Sequence, residues 1–117
     1  MGLDFTVSEK IEHSIDKQGR TVFTTTELAD FGHAGYKMMD YGLGNQDNCT
    51  TVSYNSSEFL ECLDSMKKVL EEINKTGIDK YNEKSDLEDA IDELQWFIEE
   101  EHITEDTDRV FDIHIWY

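Results

Sequence analysis

The sequence has no proline, only two cysteines and few cations. Ten Lys and Arg side chains stand against 27 Asp and Glu, and the 117 residues carry a net charge of −17. Cys49 and Cys62 are too few for a disulfide framework, so we expect reduced thiols. A surface this acidic repels nucleic acid and anionic membranes and attracts basic partners. The composition therefore argues against direct binding to nucleic acid or membrane.

Long apolar runs are also missing. No stretch approaches eighteen apolar residues, and the first residues lack the apolar core of a signal peptide, so we expect a soluble, cytoplasmic protein. The chain has no linker, internal repeat or low-complexity tract. Its apolar residues recur with regular periods, which indicates folding despite the charge. These features predict a single domain over residues 1–117.

The apolar pattern predicts an α+β fold. Alternating residues predict strands at both ends, over 3–7 and 109–117, and β-branched or aromatic residues suggest further strands over 21–24 and, after a turn, within 47–55. Helical periodicity is present over 24–41, 56–76 and 85–101. We expect a small antiparallel or mixed sheet, with both terminal strands included, packed against about three helices.

The third predicted helix has two contrasting faces. It opens with Ser85-Asp86-Leu87-Glu88, the spacing of a capping box. One face is apolar and is expected to pack on the core. It consists of Leu87, Ala90, Ile91, Leu94, Phe97 and Ile98.

The opposite face is acidic. Residues 83–112 contain thirteen carboxylates and only two cations. Eight carboxylates between Asp86 and Glu101 span roughly 24 Å of helix, about one per 3 Å, close to the roughly 3.4 Å between phosphates of one DNA strand. This spacing predicts a mimic of DNA that occupies a basic protein surface. The predicted partner-binding residues are Asp89, Asp92, Glu93, Trp96, Glu99 and Glu100.

Each part of this prediction has an alternative. The acidic face could simply be a solvated surface that confers solubility. Trp96 could anchor an interface, since exposed tryptophans are favoured there, or it could be a core residue covered by the C-terminal strand or by the loop at Tyr81.

A second prediction concerns a small ligand. Aromatic, cationic and amide side chains fall close together in the middle of the chain and could form a pocket that sequesters a nucleotide-like molecule without chemistry. The residues of this alternative pocket are Tyr36, Lys37, Tyr41 and Asn48.

No pattern indicates a reaction or a bound metal. The four histidines are scattered, no pair has i,i+4 spacing, and no Cys-x-x-Cys is present, whereas structural zinc requires clustered ligands. Cys49 lies in a turn without a local base. We therefore expect a non-enzymatic protein without a cofactor or metal.

Four short elements resemble a family of small phage and bacterial proteins. They are the start Met1-Gly2-Leu3-Asp4, the pair Gly35-Tyr36, the Asp47-Asn48-Cys49 turn followed by Tyr54, and the aromatic C-terminal strand from Phe111. The resemblance implies a phage or mobile-element setting, in which small acidic proteins often block host or defence proteins. The expected partner is then a basic, nucleic-acid-binding host or defence protein, met in the host cytoplasm.

Overall fold

A computed structural model describes residues 2–44 and 50–116 and confirms the α+β fold. The four strands form one antiparallel sheet in the order β2-β1-β4-β3. Three α-helices complete this part of the chain. The strands are β1 (Asp4–Ile15), β2 (Thr21–Asp30), β3 (Thr50–Asn55) and β4 (Val110–Trp116), and the helices are α1 (Gly35–Asp40), α2 (Ser56–Thr76) and α3 (Lys84–Glu100).

The predicted helix over 24–41 is wrong. β2 continues to Asp30, a 3-10 turn covers Gly32–Ala34, and α1 has only six residues. The β-branched run at the start of β2 favours pairing with β1 over helix. Asp30 then ends the strand, because its Oδ1 accepts hydrogen bonds from the backbone N–H groups of Phe5 (3.2 Å) and Gly32 (3.0 Å). Gly32 has a φ of +54°, which a helix does not tolerate.

Gly35 lets α1 lie directly on the sheet. A Cβ atom at this position would be 2.5 Å from the Phe5 ring, closer than real contacts allow. The close approach at Gly35 is therefore to a phenylalanine side chain. This contact fixes α1 beside β1.

The two long helices have different starts. Asn55 caps α2 through a hydrogen bond from the Glu58 N–H (3.0 Å), and Gly77, with a φ of +72°, ends it. α3 begins at Lys84, and the predicted capping box at Ser85 does not form. Instead the Asp79 carboxylate accepts hydrogen bonds from two backbone N–H groups at the helix start, each at 2.9 Å, and these bonds lower the pKa of Asp79.

The core lies between the sheet and the helices. Five phenylalanine rings form its centre, with neighbouring centroids 5.1–5.9 Å apart. Alternate residues of β4 enter this core while its other side chains remain on the open face of the sheet, as the alternation predicted. The five rings belong to Phe5, Phe31, Phe59, Phe97 and Phe111.

One part of the sheet extends beyond the core. β1 pairs with β4 only from Asp4 to Ser8, whereas its pairing with β2 continues to Ile15. Residues 9–27 therefore form a two-stranded hairpin, here named the β arm. Its turn is held by the Asp16 carboxylate, which accepts hydrogen bonds from the backbone N–H groups of Gln18 and Arg20.

Candidate protein-binding surface

The predicted acidic face of α3 is held rigidly towards solvent. All six apolar residues of the opposite face are buried, and Phe97 packs against three other rings of the core. Because this packing fixes the rotation of the helix, the orientation of the outer face is fixed as well. The structure leaves all six predicted partner-binding residues exposed: Asp89, Asp92, Glu93, Trp96, Glu99 and Glu100.

Trp96 is a surface residue. Its side chain is 51% exposed, so neither the loop at Tyr81 nor β4 covers it. The indole borders a shallow depression of about 350 Å³ that Asp92 and Glu93 also line. A large apolar ring thus lies directly beside two carboxylates, where it can contact the aliphatic part or the cationic head of a lysine or arginine side chain.

The carboxylates of this face are not neutralised by their neighbours. Among the described residues, no cationic nitrogen lies within 4 Å of the carboxylates of the five acidic residues on the outer face. Glu99 Oε1 accepts a hydrogen bond from the side-chain amide of Gln95 (3.2 Å), which carries no charge. The negative charge is therefore available to a partner.

The next acidic residue, Glu101, differs from the others. Arg109 donates to Glu101 Oε1 (2.8 Å) and to the Glu101 carbonyl oxygen (2.7 Å), and it also binds both carboxylate oxygens of Glu9 at 2.8 Å. The bonds to Glu9, and then those to Glu101, raise the pKa of Arg109 despite its partial burial. Glu101 therefore ties the end of α3 to the base of the β arm and is not free for a partner.

A groove of about 430 Å³ runs between α3 and the segment around α1. It joins residues from both predicted sites, since Tyr36 and Lys37 line it together with three of the predicted partner-binding residues of α3. We name it the acidic groove. It is lined by Phe31, His33, Ala34, Tyr36, Lys37, Asp86, Asp89, Asp92 and Glu93.

The predicted ligand pocket is not assembled as a set of four residues. Tyr41 borders a different depression, beside α2, and donates a hydrogen bond to Glu83 Oε1 (2.7 Å). Burial, and then this hydrogen bond, raise the pKa of Tyr41. Asn48 lies outside the described residues. Of the three described residues of the predicted pocket, Tyr36 and Lys37 line the acidic groove, whereas Tyr41 lines the other depression and shares Glu83 with Lys37.

Lys37, the lysine that lines the acidic groove, already forms ion pairs with other residues. Lys37 Nζ lies 3.4 Å from Asp40 Oδ2 and 3.6 Å from Glu83 Oε1, and its side chain is largely buried. Opposite it stand the carboxylates of Asp86, Asp89, Asp92 and Glu93. The groove is thus suited to a cationic side chain, whereas an anionic phosphate would meet net negative charge.

Two ionisable residues of the groove were not among the predicted site residues. Asp86 precedes Asp89 and Glu93 by three and seven residues on α3, so helical spacing could have placed it on this face. His33, whose Nε2 is 3.9 Å from Asp86 Oδ1, could not be found, because its segment was expected to be part of a long helix.

The chemistry of the described residues is limited. Within residues 2–44 and 50–116, no three His, Cys, Asp or Glu side chains are arranged to hold a metal ion. Burial raises the pKa of the Cys62 thiol to about 12, so it remains protonated and unreactive at neutral pH. Cys49 lies outside the described residues. None of the described helices has the length and apolar character needed to cross a bilayer.

Comparison of the chain with protein-family models, with curated proteins and with solved structures found no match.

Proposed function

We propose that this chain is a non-enzymatic, acidic binding protein that occupies the basic, nucleic-acid-binding surface of another protein. The single observation that carries the proposal is the exposed Trp96 among unneutralised carboxylates on a helix whose orientation is fixed by the core. A solvated face that serves only solubility does not need an exposed tryptophan at its centre.

The charge spacing supports mimicry of a nucleic acid backbone. The five outer carboxylates from Asp89 to Glu100 occur over roughly 17 Å of helix axis at 1.5 Å per residue, about one per 3–4 Å. One DNA strand presents a phosphate about every 3.4 Å. A protein groove that binds phosphates with lysine and arginine side chains would therefore meet a similar row of charges on α3.

The division of roles follows from the geometry. The outer carboxylates would steer a basic partner and pair with its cations, while Trp96 would be desolvated at the centre of the contact. The acidic groove would receive a lysine or arginine side chain between Tyr36 and the α3 carboxylates. The proposed partner is a host or defence protein in the cytoplasm of a phage-infected cell, as the family resemblance suggests.

The geometry favours this function over the small-ligand alternative. A sponge for a nucleotide-like molecule needs cations for the phosphates, but Lys37 is paired with Asp40 and Glu83. The remaining charge of the acidic groove is negative, which favours a cationic side chain in the same space.

The proposal is tested by capture from a bacterial lysate at moderate salt, with mass spectrometry, followed by competition with duplex DNA. We expect the wild-type protein to capture nucleic-acid-binding proteins, and we expect duplex DNA to displace them. The double variant Asp92→Lys/Glu99→Lys should lose them. The matched control, Glu61→Lys/Glu71→Lys, makes the same charge change on exposed positions of α2 and should retain them. Equal capture by both variants, or a co-purifying small molecule without a protein, would contradict the proposal.

A further inference from the structure

β2 forms an edge of the sheet, and its outward side has no strand partner among the described residues. All side chains from Thr21 to Glu27 are exposed. Natural proteins protect such edges with charged residues or proline. Here six consecutive residues, Thr21–Thr26, carry no charge, in a chain of which 32% is charged and which has no proline. The backbone of this segment is therefore open to pairing with another strand.

The β arm also exposes apolar side chains. Ile11, Ile15, Val22 and Phe23 are 44%, 67%, 40% and 55% exposed. A two-stranded hairpin alone is marginally stable in water, and further strands that cover apolar surface stabilise it. Both the backbone and the side chains of the arm thus favour the addition of a strand.

The charge distribution indicates which molecule can supply the strand that pairs with β2. Residues 10–26 carry three cations and two carboxylates, so this part of the arm is close to neutral, while the rest of the chain carries the negative charge. Two copies of a protein with a net charge of −17 repel each other wherever their acidic surfaces meet. Contact through the arms avoids this repulsion. The arm also lies beyond the β1–β4 pairing, in a molecule 62 Å long, so the α3 surfaces remain far apart.

We propose that β2 pairs with β2 of a second copy, antiparallel and across a two-fold axis, to form a dimer with one continuous eight-stranded sheet. Such an interface is self-complementary, because each strand contributes the same residues to both sides. An axis perpendicular to the sheet near the middle of Thr21–Thr26 places Phe23 near its counterpart and opposes no like charges. The inference does not depend on the proposed function, since α3 remains exposed in the dimer.

Analytical ultracentrifugation over a range of protein concentrations tests the dimer. We expect a reversible monomer–dimer equilibrium that Thr24→Lys weakens at least about tenfold, because two added charges meet at the axis. The matched control is Gln18→Lys, which adds the same charge in the turn of the same arm and should leave the dissociation constant within about twofold of wild type. Higher salt should strengthen the dimer, because it screens the repulsion between the two acidic bodies.

Hydrogen exchange on the wild-type protein gives an independent measurement. Backbone amides of residues 21–26 should exchange more slowly as the protein concentration rises, while those of β4 should not change. The proposal is overturned if the protein remains monomeric at its solubility limit, which would leave the edge to a different protein. It is also overturned if a dimer forms that Thr24→Lys leaves intact.

Discussion

The β arm and α3 are built in opposite ways, although the same sheet connects them. α3 is long, carries concentrated negative charge and buries an entire apolar face, so its outer surface is rigid. The arm is nearly neutral, exposes its apolar side chains and relies on backbone pairing between two strands. Because one face of α3 is buried in the core, the charges on its outer face are held in fixed positions. The arm has no such buried face, and a further strand that covers its apolar side chains would stabilise it.

Arg109 connects these two regions. It binds Glu9 at the base of the arm and Glu101 just beyond the end of α3, and its guanidinium also lies over the Phe111 ring at 4.7 Å from the centroid. This single cation pairs with two carboxylates where the two regions meet.

The largest contrast should appear in stability. Phe97→Ala removes a ring that packs against three others in the core, and we expect a loss of about 3–5 kcal/mol in the free energy of unfolding. Phe23→Ala removes an equally large but exposed ring of the arm and should cost less than about 0.5 kcal/mol in dilute solution. Urea denaturation of both variants measures the difference. Similar losses would show that the arm packs on the body in solution.

The second contrast separates folding from binding. Trp96→Ala should leave the unfolding midpoint unchanged, because the ring is exposed, yet it should weaken binding to the captured partner by about 2 kcal/mol, or roughly thirtyfold, mainly through faster dissociation. The matched control is Trp116→Ala, which removes an equally exposed indole from the open face of the sheet. Surface plasmon resonance measures the affinity and the dissociation rate of both variants. Equal binding by both variants would remove Trp96 from the interface.

The third prediction concerns the Glu9–Arg109 ion pair, which connects the β arm to the end of α3. Glu9→Gln and Arg109→Gln should each destabilise the protein, and a double-mutant cycle should give a coupling of about 1–3 kcal/mol, because the paired groups are partly buried and make two parallel hydrogen bonds. The exposed pair Arg20–Asp16 in the turn of the arm is the comparison, with a coupling of about 0–1 kcal/mol. Thermal unfolding of the seven proteins, the wild type and three variants for each pair, gives both values. Equal couplings would mean that Arg109 does not hold the two regions together.

The sequence allowed α3 to be predicted more accurately than the segment that contains the end of β2. The apolar stripe of α3 and the alternation of β4 follow one period each, and the six apolar residues predicted for the inner face of α3 are all buried. The segment 24–41 was assigned wrongly, because Leu28, Phe31, Met38 and Met39 fit a helical period. Asp30 and Gly32 override this period through hydrogen bonds to β1 and a positive φ. Such contacts between distant residues leave no local pattern.

The same limit applies to the candidate site. The outer residues of α3 could be named, since a helix with one apolar face presents its remaining residues to solvent. The exposure of Trp96 could not be decided, because it depends on where β4 and the loop at Tyr81 lie. The acidic groove was also beyond reach, because it forms only when the short α1 places Tyr36 opposite Asp89.

The smallest effect we predict is the dependence of stability on salt, and it tests whether charge strain resides in α3 or in the chain as a whole. Raising NaCl from about 10 to 150 mM shortens the screening length from about 30 to 8 Å, which weakens repulsion among exposed carboxylates. We therefore expect the melting temperature to rise by a few degrees, corresponding to about 1 kcal/mol or less. Asp92→Asn/Glu93→Gln should reduce this rise, because both carboxylates lie on the unneutralised face.

The matched control for salt is Glu61→Gln/Glu71→Gln, which removes the same charge from exposed positions of α2. If the strain is concentrated on α3, the control reduces the rise less than the α3 variant does, because its two carboxylates lie about 15 Å apart along the helix and α2 also carries three lysines. Equal reductions would show that only the net charge matters. A melting temperature that stays flat or falls with salt would mean that repulsion among the carboxylates of the acidic face does not destabilise the protein.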